Sequence, residues 1–595
     1  MDVDGSPYRV VLHTIDNWRL FFNNNFDHLE PWQVVLYTLS WVFAIQWCRK
    51  ILKYEDDLNL RKTFHALLLN IPVIRKSYEE NKDKVLKKLD EKLLKFDTRK
   101  EFYKFLPDRG LLPSDIIGEA ADYRAMSDLL FERRRMNASD FSDEAQSNLQ
   151  YEIFKLFAYS NANFPDVFPA CRKMEAEIVR MLCSLYHGGV KSTGAFTTST
   201  TESIVLAIKA YRNRAFKIGI RKPEIIVCEN GNIAYWEAAK LLGIRVVKVP
   251  VNHKFESDIG SIKRAISSET CLIVASAPSP VYGTIDAIDS ICKLGIRYGV
   301  PVHVEASYGG FLLPFMEQCD FPTPPFDFRL TGVYSISLDL DKYGCCPVGA
   351  SAVLYRDSEL FDYHCYSETD WPGGIYVNST LNENRPGSLI ALTWATLLAH
   401  GRHGFVEKTQ QILDTAHAFE DKIKEEFEDN FQVLGKPAMS VITFTTTHNS
   451  KLNIYEVADH MNEQGWNLGL LQNPDALKIC IAWNQTKEGV VDEFVSDLKN
   501  IVSKLEASSG EKPYEKHVAI YGLSSAVPDY GLNDVLPKLY TDVYYSTPSQ
   551  PVRSMRTLSI EGRKISQLQN YARSRLASVS VPTSGHQPLL PPSEE

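Results

Sequence analysis

The chain has 595 residues, 44% of them hydrophobic and 23% charged, which excludes a mainly disordered or fibrous polypeptide. Lys and Arg total 65 against 74 Asp and Glu, a formal charge of −9, so no basic surplus exists to hold a nucleic acid. The eleven cysteines contain one adjacent pair, Cys345-Cys346, and no CxxC, which suits a reducing compartment and argues against a disulfide framework or structural zinc.

From Trp32 to Cys48 there is no charge, and Arg49, Lys50 and Lys53 follow. As a helix this stretch covers about 25 Å, so a single transmembrane span is expected over residues 31–52. A buried or interfacial helix is the competing reading. The basic flank on the C-terminal side leaves residues 1–30 lumenal and the body cytosolic. No basic n-region or cleavage site supports a signal peptide. Residues 53–145 form an N-terminal helical segment, with Val85, Leu86, Leu89, Leu93 and Leu94 spaced along an amphipathic, Lys-rich helix. The sequons at Asn137, Asn378 and Asn484 should stay bare in a cytosolic body.

Residues 146–390 read as a large α/β domain. Helices are expected over Glu175–Tyr186, stopped by Gly188-Gly189, and over Glu202–Ala215. Apolar strands 224–229, 246–251, 272–277, 301–306, 334–340 and 350–355 follow, with helices at 233–242 and 284–298 between them. Uniformly apolar strands separated by helices imply a mostly parallel sheet covered on both faces, with ligands beyond the strands' carboxyl ends. Residues 391–530 read as a smaller α+β domain entered by one long helix to about Phe427, then VITFTTT, a helix at 453–464, LKICIAW and a helix at 489–506. The tail 531–595 turns rich in Ser, Pro, Arg and Gln from about Tyr544 and should be disordered.

No HExxH, Walker loop, GxSxG or paired Cys/His cluster is present. Three strand ends instead offer complementary chemistry. Glu305 closes PVHVE, Lys342 follows YSISLDLD, and Ser199-Thr200-Thr201 opens a helix whose free N–H groups suit a phosphate. Asn232 lies in the loop after EIIVCE. An amine, an acid and a phosphate-binding helix start are what pyridoxal phosphate requires. Each piece alone has a plainer reading: a solvated lysine, a helix-capping acid and a capping cluster.

The segments FAYSNANFPDVFPACRKMEAEIVRM (157–181), TTESIVLAIKAYRNRAF (200–216), HVEASYGGFLLPFME (303–317), FDFRLTGVYSISLDLDKYG (326–344) and ETDWPGGIY (368–376) resemble the sphingosine-1-phosphate lyases. These belong to the group II decarboxylase branch of pyridoxal-phosphate enzymes. The resemblance, from roughly residue 30 to 525, implies the fold type I of PLP-dependent transferases and a homodimer with its site at the interface. It also implies an endoplasmic reticulum membrane location and cleavage of a phosphorylated sphingoid base to a long-chain aldehyde and phosphoethanolamine. Lys342 takes the place of the Schiff-base lysine, Ser199, Thr200 and Thr201 that of the phosphate cup, and Tyr376 lies in the matched substrate-side segment.

Seven pocket residues, at six places, depart from the family pattern. Ser199-Thr200 stands for Gly-Gly, Glu305 for Asp, Asn232 for the ring-stacking His, and Asp341 for the His before the lysine. Phe164 and Val348 replace a His and a Lys of substrate-phosphate recognition; each such loss removes a charge-assisted hydrogen bond of roughly 1.5–3 kcal/mol. The alternatives left open are a catalytically impaired homologue, and a lyase or decarboxylase of altered substrate.

Overall fold

The structure, a computed structural model, describes residues 144–507. The expected lumenal segment, the membrane helix over 31–52, the helices up to residue 143, the chain beyond 507 and the tail lie outside the described residues. Among the described residues no helix is long and apolar enough to cross a membrane.

Helices α1 (Glu144–Phe157) and α2 (Pro169–Leu185) lead into β1 (Thr193–Thr197) and α3 (Thr200–Lys217). Then follow β2 (Glu224–Cys228), α4 (Ala234–Leu242), β3 (Arg245–Val249), α5 (Ile259–Ala265), β4 (Thr270–Ser276) and α6 (Ile288–Tyr298). The chain continues through β5 (Val302–Ala306), α7 (Leu313–Met316), β6 (Val333–Asp339), β7 (Ser351–Tyr355) and α8 (Ser358–His364). These strands form one seven-stranded sheet, ordered β1-β7-β6-β5-β4-β2-β3. All pairings are parallel except the two that β7 makes, with β1 and β6. β2, β4, β5 and β7 are buried end to end. That is the reason their sequences are apolar without alternation: helices cover both faces. On one face α3 and α4 bury Ile204, Ile208, Tyr211, Tyr235 and Ala238 against Ile225, Val227 and Leu272.

Side chains alternate along a strand. His303 and Glu305 therefore share one face of β5, and Ser335, Ser337 and Asp339 share one face of β6. The register pairs His303 with Ser335 and Glu305 with Ser337. A polar stripe thus runs through an otherwise apolar sheet toward its carboxyl edge.

A small hairpin, β8 (Tyr366–Glu368) and β9 (Tyr376–Asn378), precedes α9 (Gly387–Glu426). The chain then continues through β10 (Phe431–Val433), β11 (Val441–Thr446), α10 (Ile454–Glu463), β12 (Gly469–Leu471), β13 (Ala476–Cys480) and α11 (Val490–Ala507). These strands form an antiparallel sheet of order β10-β11-β13-β12.

Several local expectations are corrected. The connecting helix after 391 starts earlier and is broken at Gly401 (φ 56°, ψ −176°), a conformation glycine tolerates. The helix expected from 284 begins only at Ile288. Thr284 and Asp286 are held in the preceding loop instead: the Thr284 hydroxyl donates to Phe255 O (2.7 Å), and Asp286 accepts from Ser257 N and Ser276 N. Strand β1 and the short helix α5 were not foreseen; the first is only TGAFT, and the second is seven residues behind an Asp258 cap.

Candidate active site

Lys342 follows β6 in a backbone turn where Tyr343 (φ 55°) and Cys345 (φ 57°) both adopt left-handed conformations. Such strain persists only where surroundings over-determine it. Here the buried Tyr343 phenol is the anchor: it accepts from Ser440 Oγ at 2.6 Å and lies 3.1 Å from Cys480 Sγ, just before β11 and at the end of β13 in the four-stranded sheet. Gln146 Nε2 donates to the Cys345 carbonyl.

The turn returns the Lys342 amine to the end of its own strand. It ion-pairs with Asp339, donates to Thr200 Oγ1 (3.3 Å) and lies 5.0 Å from the Tyr308 ring centroid. The Thr200 hydroxyl donates to the same Asp339 carboxylate. Burial by itself would pull the Lys342 ammonium down, but Asp339, followed by Asp341 and Glu305, outweighs it and holds the group above the usual lysine range.

Glu305, at the end of β5, is fully buried. Its Oε1 accepts from Ser307 N at 3.0 Å, while Oε2 has no hydrogen-bond partner. Burial, reinforced by Asp339 and opposed by Ser307 and Lys342, pushes this carboxyl up to about 7. The tight turn that follows depends on Gly309, where a Cβ would collide with the Ala277 carbonyl.

The 18-residue α3 points its N-terminus at this cluster, because Thr200 bonds to Asp339. Ser199 turns its side chain back to cap the helix, accepting from Glu202 N at 3.1 Å. Glu202 accepts from Thr198 N and Thr198 Oγ1, both at 2.7 Å, and from Leu381 N at 2.9 Å. Of the two side chains that replace glycines in the family pattern, Ser199 is thus engaged in its own helix cap and Thr200 with Asp339.

The structure brings together Lys342, Glu305 and Thr200, three of the residues expected from sequence. It leaves others apart. The Asn232 side chain accepts from Ala234 N (3.1 Å), starting α4. Asp341 accepts from Gly349 N (3.0 Å), and burial, then Asp339, raises its carboxyl. Tyr376 has Tyr366 and Trp371 as ring neighbours, each 6.2 Å away on its own hairpin segment. Phe164 and Val348 are 54% and 80% exposed. Asp339 and Tyr308 were missed by sequence reasoning; the alternation in YSISLDL would have put Asp339 on the face of Ser335 and Ser337.

These groups fit pyridoxal phosphate. The buried, unpartnered Glu305 Oε2 matches a protonated ring nitrogen, the Lys342 amine matches its aldehyde, and the start of α3 matches its phosphate. Among the described residues no cluster of ligands could hold a metal ion, and no disulfide joins the described cysteines.

Comparison with known proteins agrees with this geometry. Residues 160–447 match the pyridoxal-dependent decarboxylase conserved domain. A Rattus norvegicus protein named sphingosine-1-phosphate lyase 1 is 34% identical over 91% of this chain and 95% of its own length. A Drosophila melanogaster sphingosine-1-phosphate lyase is also 34% identical, over 89% of this chain and 97% of its own. Among solved structures, that of a Burkholderia pseudomallei sphingosine-1-phosphate lyase superposes with a TM-score of 0.65 at 32% identity, covering 69% of this chain and 96% of that one.

Proposed function

This chain belongs to the sphingosine-1-phosphate lyase family, and from that premise we propose that it cleaves phosphorylated sphingoid bases to a long-chain aldehyde and phosphoethanolamine. When bound, pyridoxal phosphate supplies an electron sink for the charge left as the carbon–carbon bond breaks. The chain's own residues do the rest. Lys342 Nζ would hold the cofactor through its aldehyde, and its free amine would be available to give or take a proton. Asp339, ion-paired with it, would steady and orient its ammonium form. Glu305 Oε2 holds a proton at the ring nitrogen, which keeps the ring electron-poor. Thr200, Thr201 and Ser199, at the start of α3, would hold the cofactor phosphate, whereas the Asn232 side chain is engaged with Ala234 N at the start of α4. The observation that carries this reading is the unpartnered carboxylate oxygen of Glu305 in the same buried cluster as Lys342.

The test is direct. Purified protein with pyridoxal phosphate should release long-chain aldehyde and phosphoethanolamine from sphingosine 1-phosphate, and Lys342→Ala should release neither. Wild-type protein that loads the cofactor but yields no aldehyde would overturn the reading. A second reading, a lyase or decarboxylase acting on an unphosphorylated substrate, is favoured by the apolar, exposed Val348 and Phe164. Faster turnover of the unphosphorylated base would select it.

Two further features belong to the proposal. The apolar 31–52 segment anchors the chain in the endoplasmic reticulum membrane with residues 144–507 cytosolic. The burial of Asn378, a sequon asparagine, is compatible with a face that is never glycosylated. A second copy of the chain completes the site, with Tyr376 on the substrate side. Support comes from the exposed Trp371 (55%), Ile375 (80%) and Val377 (63%) around that tyrosine, more apolar area than a solvated hairpin needs.

A further inference from the structure

Behind Glu305 lies a buried polar layer that the chemistry above does not use. On the same face of β5, His303 bonds to Ser335 Oγ through Nδ1 (2.7 Å) and to Ser337 Oγ through Nε2 (3.0 Å). Ser335 also bonds to the Tyr211 hydroxyl, at 2.5 Å. Every polar atom along this wire is satisfied until it reaches Tyr235. That side chain, from α4, is fully buried and packs edge-on to the His303 ring, with centroids 6.1 Å apart at 69°. Its hydroxyl approaches Ser337 without closing a hydrogen bond, and Ser337 is the residue in register with Glu305.

Two buried polar atoms of one small region, the Tyr235 hydroxyl and Glu305 Oε2, are therefore left without partners. One is a donor and the other an acceptor. Unpaired buried polar atoms are costly, and a donor–acceptor pair removes both costs at once. The negative charge of Glu305 already acts on the Tyr235 phenol, which burial first and Glu305 second hold well above the usual tyrosine range. Glutamate, one methylene longer than aspartate, has an extra torsion through which its carboxylate would otherwise wander.

We propose that Tyr235 is a positioning residue for Glu305, its phenol donating to Oε2 and fixing the carboxylate's direction toward the cofactor's ring nitrogen. The inference rests on the reading of this pocket as a pyridoxal-phosphate site, but its first test does not. The groups facing Glu305 are Asp339 and Lys342 from the end of β6, Ser307 and Tyr308 beyond its own strand, His303 two residues back, and Tyr235 from α4. Of these, Tyr235→Phe removes only an oxygen.

In cofactor-free protein, the Glu305 carboxyl is followed by carbon-13 NMR as pH is varied. Tyr235→Phe should raise its midpoint by about one pH unit, a tenfold change, as expected for losing a donor to a carboxylate. Tyr211→Phe, which deletes a hydroxyl at the far end of the same wire, should leave it in place. In the loaded protein, Tyr235→Phe should weaken pyridoxal phosphate binding about tenfold and move the cofactor's ring-nitrogen-15 signal toward the unprotonated position. Neither change should appear when the substitution is made in a Glu305→Gln background. An unmoved Glu305 midpoint in Tyr235→Phe, or an equal shift in Tyr211→Phe, would overturn the proposal. If wild-type protein bound no pyridoxal phosphate, the functional reading would fail, and the titration would still decide the role of Tyr235.

Discussion

Replacing Asp339 with Asn removes the charge paired with Lys342 while keeping the side chain's shape. The Lys342 and Asp339 side chains are 16% and 2% exposed, so solvent screens the pair little. An adjacent opposite charge shifts a pKa by about 1–3 units, equivalent to roughly 1.4–4 kcal/mol. In Asp339→Asn, burial should act on the ammonium opposed only by Asp341 and Glu305, and its pKa should fall by about that amount. Only the neutral amine attacks an aldehyde. Near pH 8 the rate of cofactor attachment, followed by stopped-flow absorbance, should therefore rise about 10-fold or more, with its pH profile displaced to lower pH. Stability should drop, by about 3–5 kcal/mol for breaking a buried pair. Because the folded-state pKa of Lys342 is raised, the lost stabilisation is one that is fully present at neutral pH and fades only as pH climbs through that raised value. The deficit should accordingly be level from about pH 6 to 9 and shrink in strong alkali. An attachment profile that superimposes on wild type would refute the reasoning, since Asp339 would then carry no charge coupling to the lysine.

Glu305, raised to about 7, should destabilise the cofactor-free fold as pH rises from its ordinary range near 4.5 through 7, by about 3 kcal/mol. Glu305→Gln should abolish that slope in denaturant titrations of cofactor-free protein at pH 5 and 8, and an unchanged slope would contradict the assignment. Ser199→Ala should lower stability by about 1 kcal/mol through loss of the α3 cap, measured by urea midpoint, while Ser199→Gly should cost only a few tenths. Installing Lys at Val348 and His at Phe164 together should lower KM for a phosphorylated substrate about tenfold or more with little change in kcat, and an unchanged KM would place substrate-phosphate binding elsewhere.

The α/β frame was legible because burial on both faces leaves a simple imprint: EIIVC, VHVEA and ASAVLY are predominantly apolar and β-branched, and they form β2, β5 and β7 almost to the residue. Lys342 and Glu305 were legible for the related reason that both follow strand ends on one edge of the sheet. The reversal of β7 was not, since a buried antiparallel strand reads like a parallel one. Nor was Asp339, whose two neighbours in LDLD drew attention to Asp341 instead. The pleat alone would put both on one face, but the strand ends at Asp339: Asp339 pairs with Lys342 and Thr200, while Asp341, beyond the strand, bonds to Gly349 N. Tyr235 sits in an ordinary helical pattern, and nothing local marks its hydroxyl as unpartnered. The long helix after 391 hid its break for the same reason, because Gly401 in a helical run is only weak evidence of one.

The lysine that takes the cofactor decides the chemistry of this pocket. Borohydride reduction of the protein loaded with pyridoxal phosphate, followed by peptide mass spectrometry, fixes the cofactor to the residue that carries it. A single pyridoxyl modification at Lys342 is the predicted result. A modification spread over surface lysines, or one at Lys478, whose amine lies 5.5 Å from the same Tyr308 ring, would contradict it.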